Sequence, residues 1–142
     1  MAVMSSNVRR PRLCEPGAAQ ALFELAVEPR FIGTATALLV CCDSTSRPLH
    51  HVHLLNCTLD SPATDLTAIL DALIDRVLDG DPTQIGGVAL ALTRPGGDQI
   101  QPSDRTWFRA FFRLCHLRGL AAHGVYVVTR SGARVVTVDD AA

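Results

Sequence analysis

Ile85-Gly86-Gly87-Val88-Ala89-Leu90-Ala91-Leu92 is followed by Thr93-Arg94-Pro95-Gly96-Gly97-Asp98 and then by Gln101-Pro102-Ser103. The first run is nearly all apolar and does not alternate, the pattern of a central strand covered on both faces. Pro95, Gly96 and Gly97 punctuate the loop after it. Ser103 or Asp104 can cap a helix, because a short oxygen-bearing side chain accepts a free N–H of the first turn. That helix reads through to Arg118, with Gly119 placed for a left-handed close. A buried strand feeding a helix through a tight loop implies a sheet with helices packed on it.

The elements on either side fit that unit. Pro16 to Glu28 reads as a helix, with Leu22, Leu25 and Ala26 on one side. Thr34 to Cys42 and Leu49 to Leu59 read as strands of a hairpin, joined through the turn cluster Asp43-Ser44-Thr45-Ser46. From about Asp60 to Asp79, Leu66, Ile69, Leu70, Leu73, Ile74, Val77 and Leu78 form a continuous stripe at helical period, and Gly80 closes the helix. Ala122 to Thr129 and Arg134 to Val138 are the closing strands, with Arg130-Ser131-Gly132-Ala133 between them. The predicted fold is α/β in the broad sense (α+β): one domain, a mixed β-sheet with helices packed on it, order α-β-β-α-β-α-β-β. Residues 1–14 are polar, basic and Pro-containing, and read as a loose tail before a domain over 15–142.

Composition narrows the function classes. The 142 residues carry a net charge of -1 with 48% hydrophobic and 19% charged residues, which is ordinary for a globular domain and gives no global pull toward nucleic acid or acidic membrane. No apolar run approaches the ~18 residues of a membrane span, and no signal-type apolar segment follows Arg9, Arg10 and Arg12, so the cytoplasm is expected. The basic residues are all Arg, a bias we attribute to a GC-rich genome. Cys14, Cys41, Cys42, Cys57 and Cys115 are odd in number, irregular in spacing and form no CxxC pair. They read as small buried hydrophobes, and neither a disulfide framework nor a zinc finger is indicated.

The stretch from Leu90 to Ser103 resembles a motif of the RadC-like branch of the JAB/MPN (JAMM) metallohydrolase superfamily, HNHPSGDPxPSxxD, which there follows a buried strand. Pro95, Gly97, Asp98, Pro102 and Ser103 keep its punctuation. Val40-Cys41-Cys42-Asp43 with Arg47-Pro48-Leu49 is similar to the family's strand, turn and return strand. Asn56-Cys57-Thr58-Leu59-Asp60-Ser61 resembles its GTLNSA segment, and residues 34–138 follow the family order. The resemblance implies a JAB/MPN-like domain and, in active members, a zinc ion held by two His and one Asp, with a distant Glu as base. Leu92 and Arg94 stand where the two His belong, and neither ligates zinc. The Glu position falls near Ala35. The Asp position falls at Thr106 if Ser103 is the anchor, or at Asp104 if the longer loop is allowed for. A catalytic zinc site needs three N or O ligands and a base for the bound water. The resemblance therefore implies a degenerate pseudoenzyme without catalytic residues or cofactor, whose role is protein interaction or dimerisation. The alternatives are a RadC-like zinc hydrolase with a rebuilt metal site, and a DNA-associated RadC-like protein.

Four other constellations bear on those alternatives. His51 and His53 share one face of their strand and His50 takes the other, opposite Cys41, so neither face offers the ligands of a metal site. Asp71, Asp75 and Asp79 form an acidic row that reads as a solvated helix face. Arg105, Arg109 and Arg113 with His116 form a basic row on the later helix. No aromatic residue interrupts that row and the chain is not basic, which argues against nucleic acid. Trp107, Phe108, Phe111 and Phe112, with Leu114, Cys115 and Leu117, wrap more of that helix than one sheet face can bury. These four aromatics are the candidate interaction residues, covered either by the N-terminal helix or by a second copy in a homodimer. Finally, a buried Arg94 needs a carboxylate partner, for which Asp98 and Asp104 are candidates, unless it swings into water.

Overall fold

A computed structural model of the protein describes residues 12–57, 61–77 and 85–141. The expected tail at 1–11, the strand end at Thr58-Leu59, the helix start at Asp60 and the helix end at Leu78, Asp79 and Gly80 lie outside them. The first helix, α1 (Ala18–Ala26), leads through a 3-10 turn (Pro29–Phe31) into β1 (Thr36–Cys42) and β2 (Pro48–Leu54). Then come α2 (Ala63–Val77), β3 (Gly87–Thr93), α3 (Pro102–Arg118), β4 (Ala121–Thr129), β5 (Gly132–Val135) and α4 (Val138–Ala141). The strands form one mixed sheet in the order β2-β1-β3-β4-β5. Only the β3–β4 pair is parallel, joined by α3 as its crossover.

β3 is central and buried along its whole length, as its unbroken apolar run requires. Val88, Leu90 and Leu92 face a core built by α2 and α3, with Leu66, Leu70, Ile74, Phe111 and Leu114. Ala89 and Ala91 face a second core with Phe23 and Val27 of the α1 segment and Leu38 and Val40 of β1. The sheet thus has helices on both sides, which explains why neither β1 nor β3 alternates. Cys41 and His50 are cross-strand partners, the register read from the sequence.

Several boundaries differ from the sequence reading, each for a local reason. β2 stops at Leu54 instead of Leu59, because Asn56 takes a left-handed conformation (φ 56°) and the Cys57 N–H turns back to the Ala35 carbonyl at 2.9 Å. The last strand stops at Val135, and a short helix takes over at Val138. Thr137 and Asp140 set that change: the Asp140 carboxylate accepts the Thr137 N–H at 2.9 Å, and the Asp140 N–H donates to Thr137 Oγ1 at 3.2 Å. Leu13, assigned to the tail, is buried and its N–H bonds the Ser46 carbonyl at 2.7 Å, so the fold begins before residue 15. Gly119 closes α3 in the left-handed region (φ 64°), as expected.

Candidate functional site

The C-terminal end of β3, the start of β1 and the first turn of α3 bring together the positions singled out in the sequence. Thr36 and Thr93 are cross-strand partners, so Ala35 and Arg94 leave the sheet from adjacent strand ends. The two Thr hydroxyls hydrogen-bond each other at 2.5 Å, and Thr93 Oγ1 donates to the Thr34 carbonyl at 2.7 Å. Leu92 points into the core and is 2% exposed. Thr106 Oγ1 donates to the Pro102 carbonyl at 3.1 Å, and Ser103 is half-buried beside it in the same helical turn.

Arg94 is the centre of this arrangement. It is 2% exposed, and Asp104 is fully buried. The guanidinium grips the carboxylate with two prongs, Nε to Oδ1 at 3.2 Å and Nη2 to Oδ2 at 2.8 Å. Nη1 donates to the Gly97 carbonyl at 2.5 Å, and Nη2 also donates to the Gln99 carbonyl at 2.7 Å. Asp104 in turn accepts the Gln101 N–H at 2.8 Å. Each buried charge is therefore paired and hydrogen-bonded, the condition under which burial is tolerable. Asp104 acts as the third residue of α3 and not as its cap; the cap position belongs to Gln101. Asp98, the other candidate partner, lies in the exposed loop, where its carbonyl accepts a bond from Arg134 Nη1 at 2.8 Å. Gly96 is held at φ 101°, and a side chain there would collide with the Gln101 amide, which bonds the Pro95 carbonyl at 3.1 Å. The 95–101 loop is thus pinned from beneath by Arg94 and from the side by Gln101.

The aromatic set is mostly internal. Trp107, Phe108 and Phe111 are buried within the single chain, and among the four only Phe112 remains exposed, at 37%. The N-terminal helix, one of the two expected covers, does not enclose them. α1 packs on the opposite sheet face, against β4 and β5, while α2 and α4 flank α3. The Arg row also has a structural use. Arg105 Nε donates to the Asp140 carbonyl at 2.8 Å and Arg109 Nη2 to that of Ala141 at 3.2 Å, placing cations at the C-terminal end of α4. In the acidic row, Asp71 and Asp75 both bind Arg118 at 2.5 Å, which ties α2 to α3.

His50 and His51 are exposed, and His53 is half-buried. Among the described residues no three His, Cys, Asp or Glu side chains are arranged to hold a metal ion. Burial pushes the thiols of Cys41 and Cys57 up to about 11 and those of Cys42 and Cys115 to about 12, so these four are uncharged at neutral pH and behave as apolar side chains. His123 escaped the sequence reading. It follows Ala122 on β4, and its Nε2 packs so closely on Gly87 that a side chain at 87 would force the imidazole to move. The adjacent Gly86-Gly87 pair was the available signal for such a close approach. No helix among the described residues is long and apolar enough to cross a membrane. No protein-family model matches the chain, and no curated protein matches it either.

Proposed function

We propose that the chain is a noncatalytic interaction domain of the cytoplasm, of RadC-like JAB/MPN type, in which the metallohydrolase site is lost and the 95–101 loop is fixed in its place. The observation that carries this reading is the buried Arg94–Asp104 pair. Arg94 occupies the position that the resemblance gives to the second metal-binding His. A guanidinium stays protonated under all ordinary conditions, so a fixed positive charge opposes a divalent cation there. Asp104, the nearest alternative to the family's ligand Asp, already accepts three hydrogen bonds. Leu92, at the first His position, contributes only packing. Binding to another protein, or to a second copy, is the activity left to such a domain.

Elemental analysis tests the lost site. The wild-type protein is expected to emerge from zinc loading and mild chelation without stoichiometric zinc, whereas Leu92→His/Arg94→His/Thr106→Asp is expected to gain zinc if it folds. Wild-type protein that keeps stoichiometric zinc overturns the reading. For a homodimer, the surface left to consider on α3 is Phe112 with Leu117, 37% and 63% exposed. Light scattering at micromolar concentration should show a dimer that Phe112→Glu converts to a folded monomer. A monomeric wild type would shift the interaction to a different protein partner.

A further inference from the structure

The two outer edges of the sheet differ in how they are closed. At β5, the backbone of Ala133 points outward and α1 seals it. The Ala133 N–H donates to Glu24 Oε2 at 2.9 Å, and the Ala133 carbonyl accepts from Gln20 Nε2 at 2.9 Å. β2 forms the opposite edge. Alternate residues of such a strand direct their N–H and C=O groups away from the sheet. Among the described residues, nothing but β1 bonds the backbone of His50, His51, Val52 and His53. Sheet edges are ordinarily guarded by charge, proline, a bulge or a covering element. Leu49–Leu54 holds no Lys, Arg, Asp, Glu or Pro, and the one irregularity in its pairing lies at the Cys41–Cys42 end, before His50. At the other end of the strand lies a cavity of about 250 Å³, lined mainly by Leu54, Leu55, Ile69 and Trp107. Leu55 and Ile69 are 48% and 38% exposed, so large apolar side chains border it from the solvent side. An open backbone ladder that ends at an apolar cavity is the arrangement that receives an extended peptide, with main-chain bonds supplying affinity and a side-chain pocket supplying specificity.

We propose that β2 takes an extended, uncharged segment of another protein as a sixth strand, with one large apolar side chain of that segment seated in the cavity beside Leu54. The inference rests on the interaction-domain reading and names the class of its partner. The strand presents no fixed charge for an acidic or basic peptide to match, whereas its outward backbone groups match any extended chain. A second copy suits the edge less well. Antiparallel self-pairing would set His50, His51 and His53 against the same three imidazoles, and like charges across a ladder destabilise it when they are protonated.

Calorimetric titration of the full chain with a blocked peptide of alternating threonine and valine, carrying phenylalanine at its centre, tests it. Saturable binding is expected, and none by the fully N-methylated counterpart, which cannot donate to the ladder. The same peptide with serine in place of phenylalanine should bind about tenfold or more weakly, the worth of burying one large apolar side chain. Ile69→Glu, at an exposed position beside the cavity, should weaken the phenylalanine peptide by a similar factor and leave the serine peptide unchanged. Hydrogen exchange reads the edge in the wild type without any variant. The outward amides of Leu49–Leu54 should exchange fast in the free chain and slow on adding peptide. No saturable binding, equal binding of the N-methylated peptide, or equal affinity for the phenylalanine and serine peptides would each overturn the proposal. So would outward amides already protected in the free chain, which would mean that a second copy or another part of the same chain fills the edge. None of these readouts involves zinc, so a failure here is distinct from retention of the metal.

Discussion

Arg94 shows how a single residue can hold a whole loop in place. Its side chain reaches two loop carbonyls and a buried carboxylate, so Arg94→Ala leaves Asp104 as an uncompensated buried charge. We expect a loss of about 3–5 kcal/mol, the range for breaking a buried pair from one side. Arg94→Met/Asp104→Leu removes both charges and should recover most of that loss, although the loop carbonyls remain without their donor. Urea unfolding of the wild type and the two variants measures the difference, and equal destabilisation by the single and double variants would contradict the pairing. Histidine burial gives a separate prediction. His53 and His123 each have a buried, unpaired Nε2, and desolvation lowers both below the usual histidine value. The unfolded chain then binds more protons than the folded one in the window below about pH 6.5. Stability is complete above that window and falls as the pH drops through it. His123→Leu should flatten the fall, read as the urea midpoint at about pH 7.5 against about pH 5.5. An unchanged pH slope in that variant would exclude His123 as a contributor. The Asp43 carboxylate, lowered by its bonds to Thr45 and the Arg47 N–H, acts in a more acidic window, where its protonation removes those bonds.

At the level of elements, the legible parts are those whose local signals agree with their tertiary setting. β3 is visible because a strand buried on both faces needs no polar positions. α3 is visible because the loop before it, its apolar stripe and Gly119 agree on its length. The final segment misled because Arg134 to Val138 is dense in β-branched residues, which favour strands. Thr137-Val138-Asp139-Asp140 held the contrary signal, a Thr followed three residues later by a carboxylate that closes on its N–H. The choice of cover for α3 was not legible, since an apolar stripe shows that a helix packs without showing on which sheet face. Hence α1 was a candidate for a surface that α2 and α4 cover. Nor could spacing decide between Asp98 and Asp104, a choice made by the turn of α3 that points Asp104 inward. Arg105 and Arg109 give the element-scale test. Replacing both with Ala should speed amide exchange in Val138–Ala141 while leaving β3 protected. Equal protection of α4 in wild type and variant would mean that the two carbonyl bonds do not hold it.

Across the whole molecule, the sheet separates two regions with different chemistry. One end gathers Ala35, Leu92, Arg94, Ser103, Asp104 and Thr106, the positions at which the resemblance would set a hydrolytic zinc site. Along the outer side of β2, the backbone edge lies open among the described residues. The first region is marked in the sequence by its punctuation, since Pro95, Gly97, Pro102 and Ser103 bracket the loop between β3 and α3. The open edge had no comparable trace, since which strand lies outermost is a matter of topology alone. On the proposed reading, the buried Arg94–Asp104 pair stands where metal chemistry would otherwise sit, at the end of β3. Zinc content per folded chain, measured after loading and mild chelation, tests it most directly. No stoichiometric zinc is expected in the wild type. Stoichiometric zinc that survives chelation, and that is lost when Asp104 is replaced by Asn, would contradict it.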